Sequence, residues 1–166
     1  MAMAADDATD RTPDAASDYP PAGDPQNAEE RARRCAEVMY RADAASQRLG
    51  ISIVEIAPGR AVATMTVRDD MVNGHGVCHG GFVFALADTA FAFACNSYGR
   101  VAVAAGADIT FVQPAVAGET LTAEAVERIR YGRSGLYDVT VRGTDGRCIA
   151  EFRGRSRLMD RELLDG

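Results

Sequence analysis

The apolar positions follow two periods along the chain. From residue 28 to 49, Cys35, Val38, Met39, Ala42, Ala45 and Leu49 recur at helical spacing. Asn27 offers an N-cap ahead of Glu29 and Glu30, and Gly50 supplies the stop. Ile51, Ile53 and the Val62/Thr64/Thr66 alternation then predict two strands joined by the turn Ala57-Pro58-Gly59-Arg60. A polar, Gly-rich loop spans 68–79. An apolar block from Gly80 to Tyr98, ended by Gly99, predicts a long helix that is hydrophobic on nearly all sides. Four further strands are expected over Val101–Val112, Thr120–Arg130, Leu136–Arg142 and Cys148–Leu158, and Thr144-Asp145-Gly146 marks a hairpin between the last two. The order α-β-β-α-β-β-β-β gives an α+β fold. A helix apolar all round must be wrapped, so an antiparallel sheet of five to six strands is expected to curve around the Gly80–Tyr98 helix.

Composition narrows the picture. Residues 1–27 are rich in Ala, Asp, Pro and Ser and poor in large apolar groups, which predicts a disordered tail ahead of one domain over 28–166. The net charge of −6 argues against a nucleic-acid partner, because phosphate binding needs a basic surface. All 18 basic residues are Arg, so Schiff-base and P-loop lysine chemistries are excluded. Cys35, Cys78, Cys95 and Cys148 form no CxxC pair and read as free thiols of a cytoplasmic protein. The first twenty residues lack the apolar stretch of a secretory signal. The apolar run Phe82–Ala87 falls short of the roughly 20 residues of a membrane span.

The chemistry concentrates between Asn73 and Ser97. Asp88 lies mid-helix on a stripe with Gly81, Phe84, Phe91 and Cys95. A carboxylate there either faces a pocket or is neutralised by a partner. Gly80 and Gly81 open the helix, where the first N–H groups lack internal acceptors and the helix dipole is positive; they suit either a tight turn or an oxyanion hole. Asn73, followed by Gly74, reads as a turn residue or as a polar group that orients a substrate. His79 suits a structural role, a substrate contact or a base. His75, Cys78 and His79 supply three donors where structural zinc wants four, so no metal or other cofactor is expected. Cys78 beside His79 is an unfavourable nucleophile–base pair, since adjacent loop residues rarely aim at one another.

Asn73-Gly-His, then Cys78-His-Gly-Gly, then Leu86-Ala-Asp-Thr-Ala-Phe-Ala and Cys95-Asn-Ser, resemble the PaaI-like (phenylacetic acid degradation) family of hotdog-fold acyl-CoA thioesterases. The likeness continues through Asp108-Ile-Thr-Phe, Gln113-Pro114, Gly118-Glu-Thr-Leu-Thr-Ala, Gly135-Leu-Tyr-Asp and Phe152-Arg-Gly-Arg-Ser, and covers roughly residues 30–160. The resemblance implies the hotdog fold and hydrolysis of an acyl-CoA thioester. It assigns Gly80 to polarising the thioester carbonyl, Asp88 to catalysis and Asn73 to a polar site position. It also implies a homotetramer.

Helix geometry then adds a constraint. Gly80 and Asp88 stand eight residues apart, or about 12 Å along the axis. One carbonyl carbon cannot touch both, so the acid serving Gly80 is expected from a second subunit, in a two-fold homodimer. Asp88 would act as a general base toward water or attack the carbonyl to form an anhydride. Arg130, Arg133, Arg153 and Arg155 are candidates for holding the coenzyme A phosphates. Phe82 and Phe91 are expected to line a pocket that suits an aryl group such as phenylacetyl. Two alternatives share the fold: an acyl-thioester dehydratase, which needs a hydratase-type catalytic pair, and a non-catalytic acyl-CoA-binding module, which would lack Asp88.

Overall fold

The computed structural model describes residues 24–164. Helix α1 spans Pro25–Ala42 and starts earlier than the pattern indicates. Its N-cap is Asp24, not Asn27: the Asp24 carboxylate accepts the Gln26 N–H at 3.1 Å. Pro25 reads as a breaker in sequence but suits the first helical position, where no N–H is needed. The end of the expected 1–27 tail is therefore helical, and residues 1–23 lie outside the described residues.

The single helix expected up to Leu49 is two helices. Asp43 interrupts it, because its carboxylate accepts from the Ser46 N–H at 3.0 Å and the Ser46 hydroxyl at 2.6 Å. That cap starts α2, Ala44–Leu49, which Gly50 ends at φ +73°. An Asp competing for nearby backbone donors is a helix starter, and here it outweighs the continuing apolar stripe.

The strands follow as β1 Ser52–Ala57 and β2 Arg60–Thr66, with a 3-10 turn over Asp69–Met71, then helix α3 Gly80–Asn96. The remaining strands are β3 Arg100–Phe111, β4 Thr120–Tyr131, β5 Ser134–Arg142 and β6 Cys148–Glu162. β6 runs four residues past the expected Leu158 because Arg100 of β3 pairs with Glu162. All six strands form one antiparallel sheet in the order β1-β2-β4-β5-β6-β3. This is the expected hotdog architecture.

The sheet wraps α3. Leu86, Ala90 and Phe93 of the helix are buried against Ala61 and Ala63 of β2, Ala123 and Ala125 of β4, and Val139 and Val141 of β5. Alanines at successive inward positions of β2 and β4 let the helix approach closely, and the larger Leu121, Met65 and Tyr137 fill the flanks. At β6 the approach is closer still. A Cβ on Gly154 would lie 2.7 Å from the Phe91 ring, so glycine is required there. The helix C-terminus is tied down by polar side chains. Asn96 accepts the Ala102 N–H at 2.8 Å and donates to the Ala102 carbonyl at 2.9 Å. The Ser97 hydroxyl accepts the Gly59 N–H at 2.8 Å. These bonds fix how far along the sheet α3 sits, and so where Gly80 and Asp88 emerge.

Candidate active site

The approach to α3 is shaped by Asn73. Its Oδ1 accepts the His75 N–H at 2.8 Å and the Val77 N–H at 3.4 Å, folding the loop back so that Val72 bridges Cys78. The Asn73 Nδ2 makes no hydrogen bond among the described residues and keeps its donors. His79 follows as the α3 N-cap: its Nδ1 accepts the Gly81 N–H at 3.0 Å, and its ring stands edge-on to the half-buried Phe82. With Nδ1 as acceptor, the neutral ring carries its proton on Nε2. The His79 carbonyl takes the Phe82 N–H at 2.9 Å. Of the first three helical N–H groups, only that of Gly80 has no acceptor among the described residues. The two glycines that look alike in sequence therefore differ: the Gly81 N–H is committed, and the Gly80 N–H, at the positive end of the helix dipole, is available.

Gly80 lies in a cleft of about 390 Å³ with Val83, Phe111, Pro114 and Ile149. The Phe111 ring covers it so closely that a Cβ on Gly80 would lie 2.9 Å from Phe111 Cζ.

Asp88 opens into a different cleft of about 340 Å³, between the second half of α3 and the start of β3. The half-buried Asp88 carboxylate accepts no hydrogen bond and pairs with no base among the described residues. Burial alone pushes its pKa above the ordinary 3.8. Of the two readings of a mid-helix Asp, pocket-facing or neutralised, the structure has the first. Phe91 is among the residues lining this cleft, but it is 1% exposed and belongs chiefly to the core, against Tyr137, Phe152 and Gly154. A groove of about 470 Å³ between α1 and β1 contains none of the motif's residues.

The four candidate arginines all have acidic partners. Arg130 meets Glu127 at 2.9 Å and lies over the Tyr98 ring. Arg133 meets Asp160 at 2.8 Å, Arg153 meets Asp138 at 2.7 Å, and Arg155 pairs with Asp108. Glu127 also accepts the Tyr98 and Tyr137 hydroxyls, so Arg130 is part of a knot that holds the end of α3. The Cys78 thiol donates to the His79 carbonyl at 3.7 Å rather than to its ring, and burial raises its pKa. Burial pushes the Cys95 thiol, in the Asp88 cleft, up to about 12, which leaves it un-ionised and unreactive. No group of three His, Cys, Asp or Glu among the described residues could hold a metal ion. No described helix is long and apolar enough to cross a membrane.

Residues 75–150 match the thioesterase superfamily. The acyl-coenzyme A thioesterase PaaI of Escherichia coli is 49% identical over 121 residues, 73% of this chain and 86% of the relative. The chain belongs to the PaaI-like family of hotdog-fold acyl-CoA thioesterases. The solved structure of the E. coli PaaI protein from the phenylacetic acid degradation operon superposes with a TM-score of 0.80 at 45% identity, covering 81% of this chain and 97% of that one. Human acyl-coenzyme A thioesterase 13 is a more distant relative, 30% identical over 65% of this chain and 79% of its own length. Membership in this family makes the protein a thioester hydrolase.

Two residues that matter at these clefts carry no signal in the sequence. Phe111 ends an ordinary strand, and Arg161 follows the expected end of β6, yet the first covers Gly80 and the second lines the Asp88 cleft.

Proposed function

We propose that the protein hydrolyses acyl-coenzyme A thioesters, aryl acyl groups among them, at active sites shared between two copies of the chain. The observation that carries this reading is the unpaired, half-buried Asp88 carboxylate at one cleft and the available Gly80 N–H at another. The buried carboxylate is a better proton acceptor than an exposed one, which favours the general-base role. Asp88 takes a proton from water as the water oxygen bonds to the carbonyl carbon. Gly80 of the second copy donates its N–H to the oxygen as negative charge develops there. The C–S bond then breaks, coenzyme A leaves as the thiol with the proton from Asp88, and the free acid remains. In this reading Asn73, whose Nδ2 is uncommitted among the described residues, orients the carbonyl or the water. The half-buried Phe82 supplies aromatic contact for the acyl group, with Phe91 backing the Asp88 cleft from the core.

The topology supports the shared site. β3 is an edge strand whose outer backbone is unpaired among the described residues, with Val103 and Phe111 44% and 54% exposed. Its first residues, Val101–Ala104, wall the Asp88 cleft, and its last, Phe111, covers Gly80. Two β3 strands paired antiparallel about a two-fold axis bring the start of one beside the end of the other, and thus Asp88 of one copy toward Gly80 of its partner. Further pairing into a homotetramer rests on the family resemblance. The four free thiols suit a reducing, cytoplasmic compartment.

Release of free thiol from phenylacetyl-, 4-hydroxyphenylacetyl- and straight-chain acyl-CoAs tests the activity, and absence of thiol release across the panel contradicts it. The pH profile tests the assignment of the base. Because burial raises the Asp88 pKa, the acid limb of kcat should have its midpoint above 3.8. The rate falls as pH drops through that midpoint and Asp88 takes up a proton. A limb centred at or below 3.8 would place the titrating group elsewhere.

A further inference from the structure

The lining of the Asp88 cleft also includes a basic residue. Most of its walls are apolar and small, including Ala92, Val101, Ala102 and Ala104 beside Met39, and the solvent-exposed Arg161 of β6 is the one basic residue that lines it among the described residues. The other polar groups of the cleft are occupied. The Cys95 thiol donates to the Ala92 carbonyl at 3.4 Å, and the Asn96 amide is spent on Ala92 and Ala102. The Arg161 guanidinium forms no hydrogen bond or ion pair among the described residues, in contrast to those of Arg130, Arg133, Arg153 and Arg155. No hydrogen bond or ion pair among the described residues joins it to Asp88 either.

We propose that Arg161 is a specificity residue that binds an oxygen anion, such as a carboxylate, at the far end of the acyl group while Asp88 works on the thioester at the near end. The inference rests on the thioesterase reading of the same cleft. A volume of about 340 Å³ is near the low end for small-molecule pockets. It has room for a short acyl group and not for the nucleotide of coenzyme A. Apolar walls suit the methylene or ring portion of that group. The guanidinium, with up to five N–H donors, suits a carboxylate and can bind it bidentately.

Adipoyl-CoA and hexanoyl-CoA share a six-carbon chain and differ in the terminal carboxylate. Their kcat/KM ratio, measured for the full chain and for Arg161→Gln and Arg161→Glu, tests the proposal. The wild-type protein should favour adipoyl-CoA, Arg161→Gln should lower the adipoyl-to-hexanoyl ratio by roughly 10- to 100-fold, as expected for a charge-assisted hydrogen bond, and Arg161→Glu should lower it further. An unchanged ratio overturns the proposal, whether the variants keep full activity or lose it equally on both substrates; equal loss would place Arg161 on the coenzyme A phosphates. Absence of hydrolysis of either thioester by the wild-type protein would overturn the thioesterase reading itself, an outcome distinct from an unchanged ratio.

Discussion

Asp88→Asn should lower kcat by about 10²- to 10⁴-fold, the usual contribution of a positioned general base, with little change in KM. The amide fills the same space in the cleft and can still hydrogen-bond water, but it cannot take the proton. The same substitution should make the protein more stable at neutral pH. The Asp88 pKa is raised by burial above its unfolded value near 3.8. Such a group contributes stability that is fully present below the unfolded value and is lost as pH rises through the folded one. Once ionised, the Asp88 carboxylate is an uncompensated charge in a half-buried cleft, and Asn removes that cost. The expected signature is opposite movement of rate and melting temperature, read by thiol release and thermal unfolding at pH 7. Loss of both together would make Asp88 a structural residue.

Gly154→Val should destabilise the fold at a position away from the reacting groups. The Cβ of any residue at 154 would lie 2.7–2.8 Å from three atoms of the Phe91 ring. Tyr137 and Phe152 pack against the ring and resist its displacement. Overpacking of this kind costs about 1–3 kcal/mol, and the branched side chain belongs at the upper end. A loss of ~3 kcal/mol lowers the midpoint by about 6–12 °C in a chain of this size. Gly154→Ala should cost less but in the same direction. Thermal unfolding of both variants checks this, and an unchanged midpoint would mean that α3 can move off β6 at no cost.

How much of this was legible in the sequence depends on how local the cause is. The strands were legible because alternation is a property of neighbours, and α3 because its apolar character runs all round. The break at Asp43 was not, since the apolar stripe runs through it and only the bond to Ser46 decides. Nor was the early start at Asp24, hidden by a proline that disfavours a helix interior but suits a helix start. The separation of Gly80 and Asp88 could be read directly, because helical rise is fixed. The fates of the arginines could not. Arg153 meets Asp138 across the β5–β6 ladder and Arg155 meets Asp108 from β3, contacts that exist only once register is set. Arg161 reaches the Asp88 cleft from a part of β6 that the alternation did not predict, beside irregular pairing between Arg100 and Ala102.

The central claim is that each site takes its acid from one copy and its oxyanion donor from the other, and mixing two inactive variants tests it most directly. Asp88→Asn removes the acid. Gly80→Val shields the N–H, and the fold should tolerate it, because the side chain would displace only the ring end of the exposed Phe111. Each homodimer then lacks an intact site. A mixed dimer joins Gly80 of the first chain to Asp88 of the second and so rebuilds one site of two. At equal amounts and with free exchange, about a quarter of wild-type kcat should return, since half the dimers are mixed and each holds one intact site. Native mass spectrometry verifies that exchange has occurred. Mixed dimers that form and remain inactive would contradict the shared site.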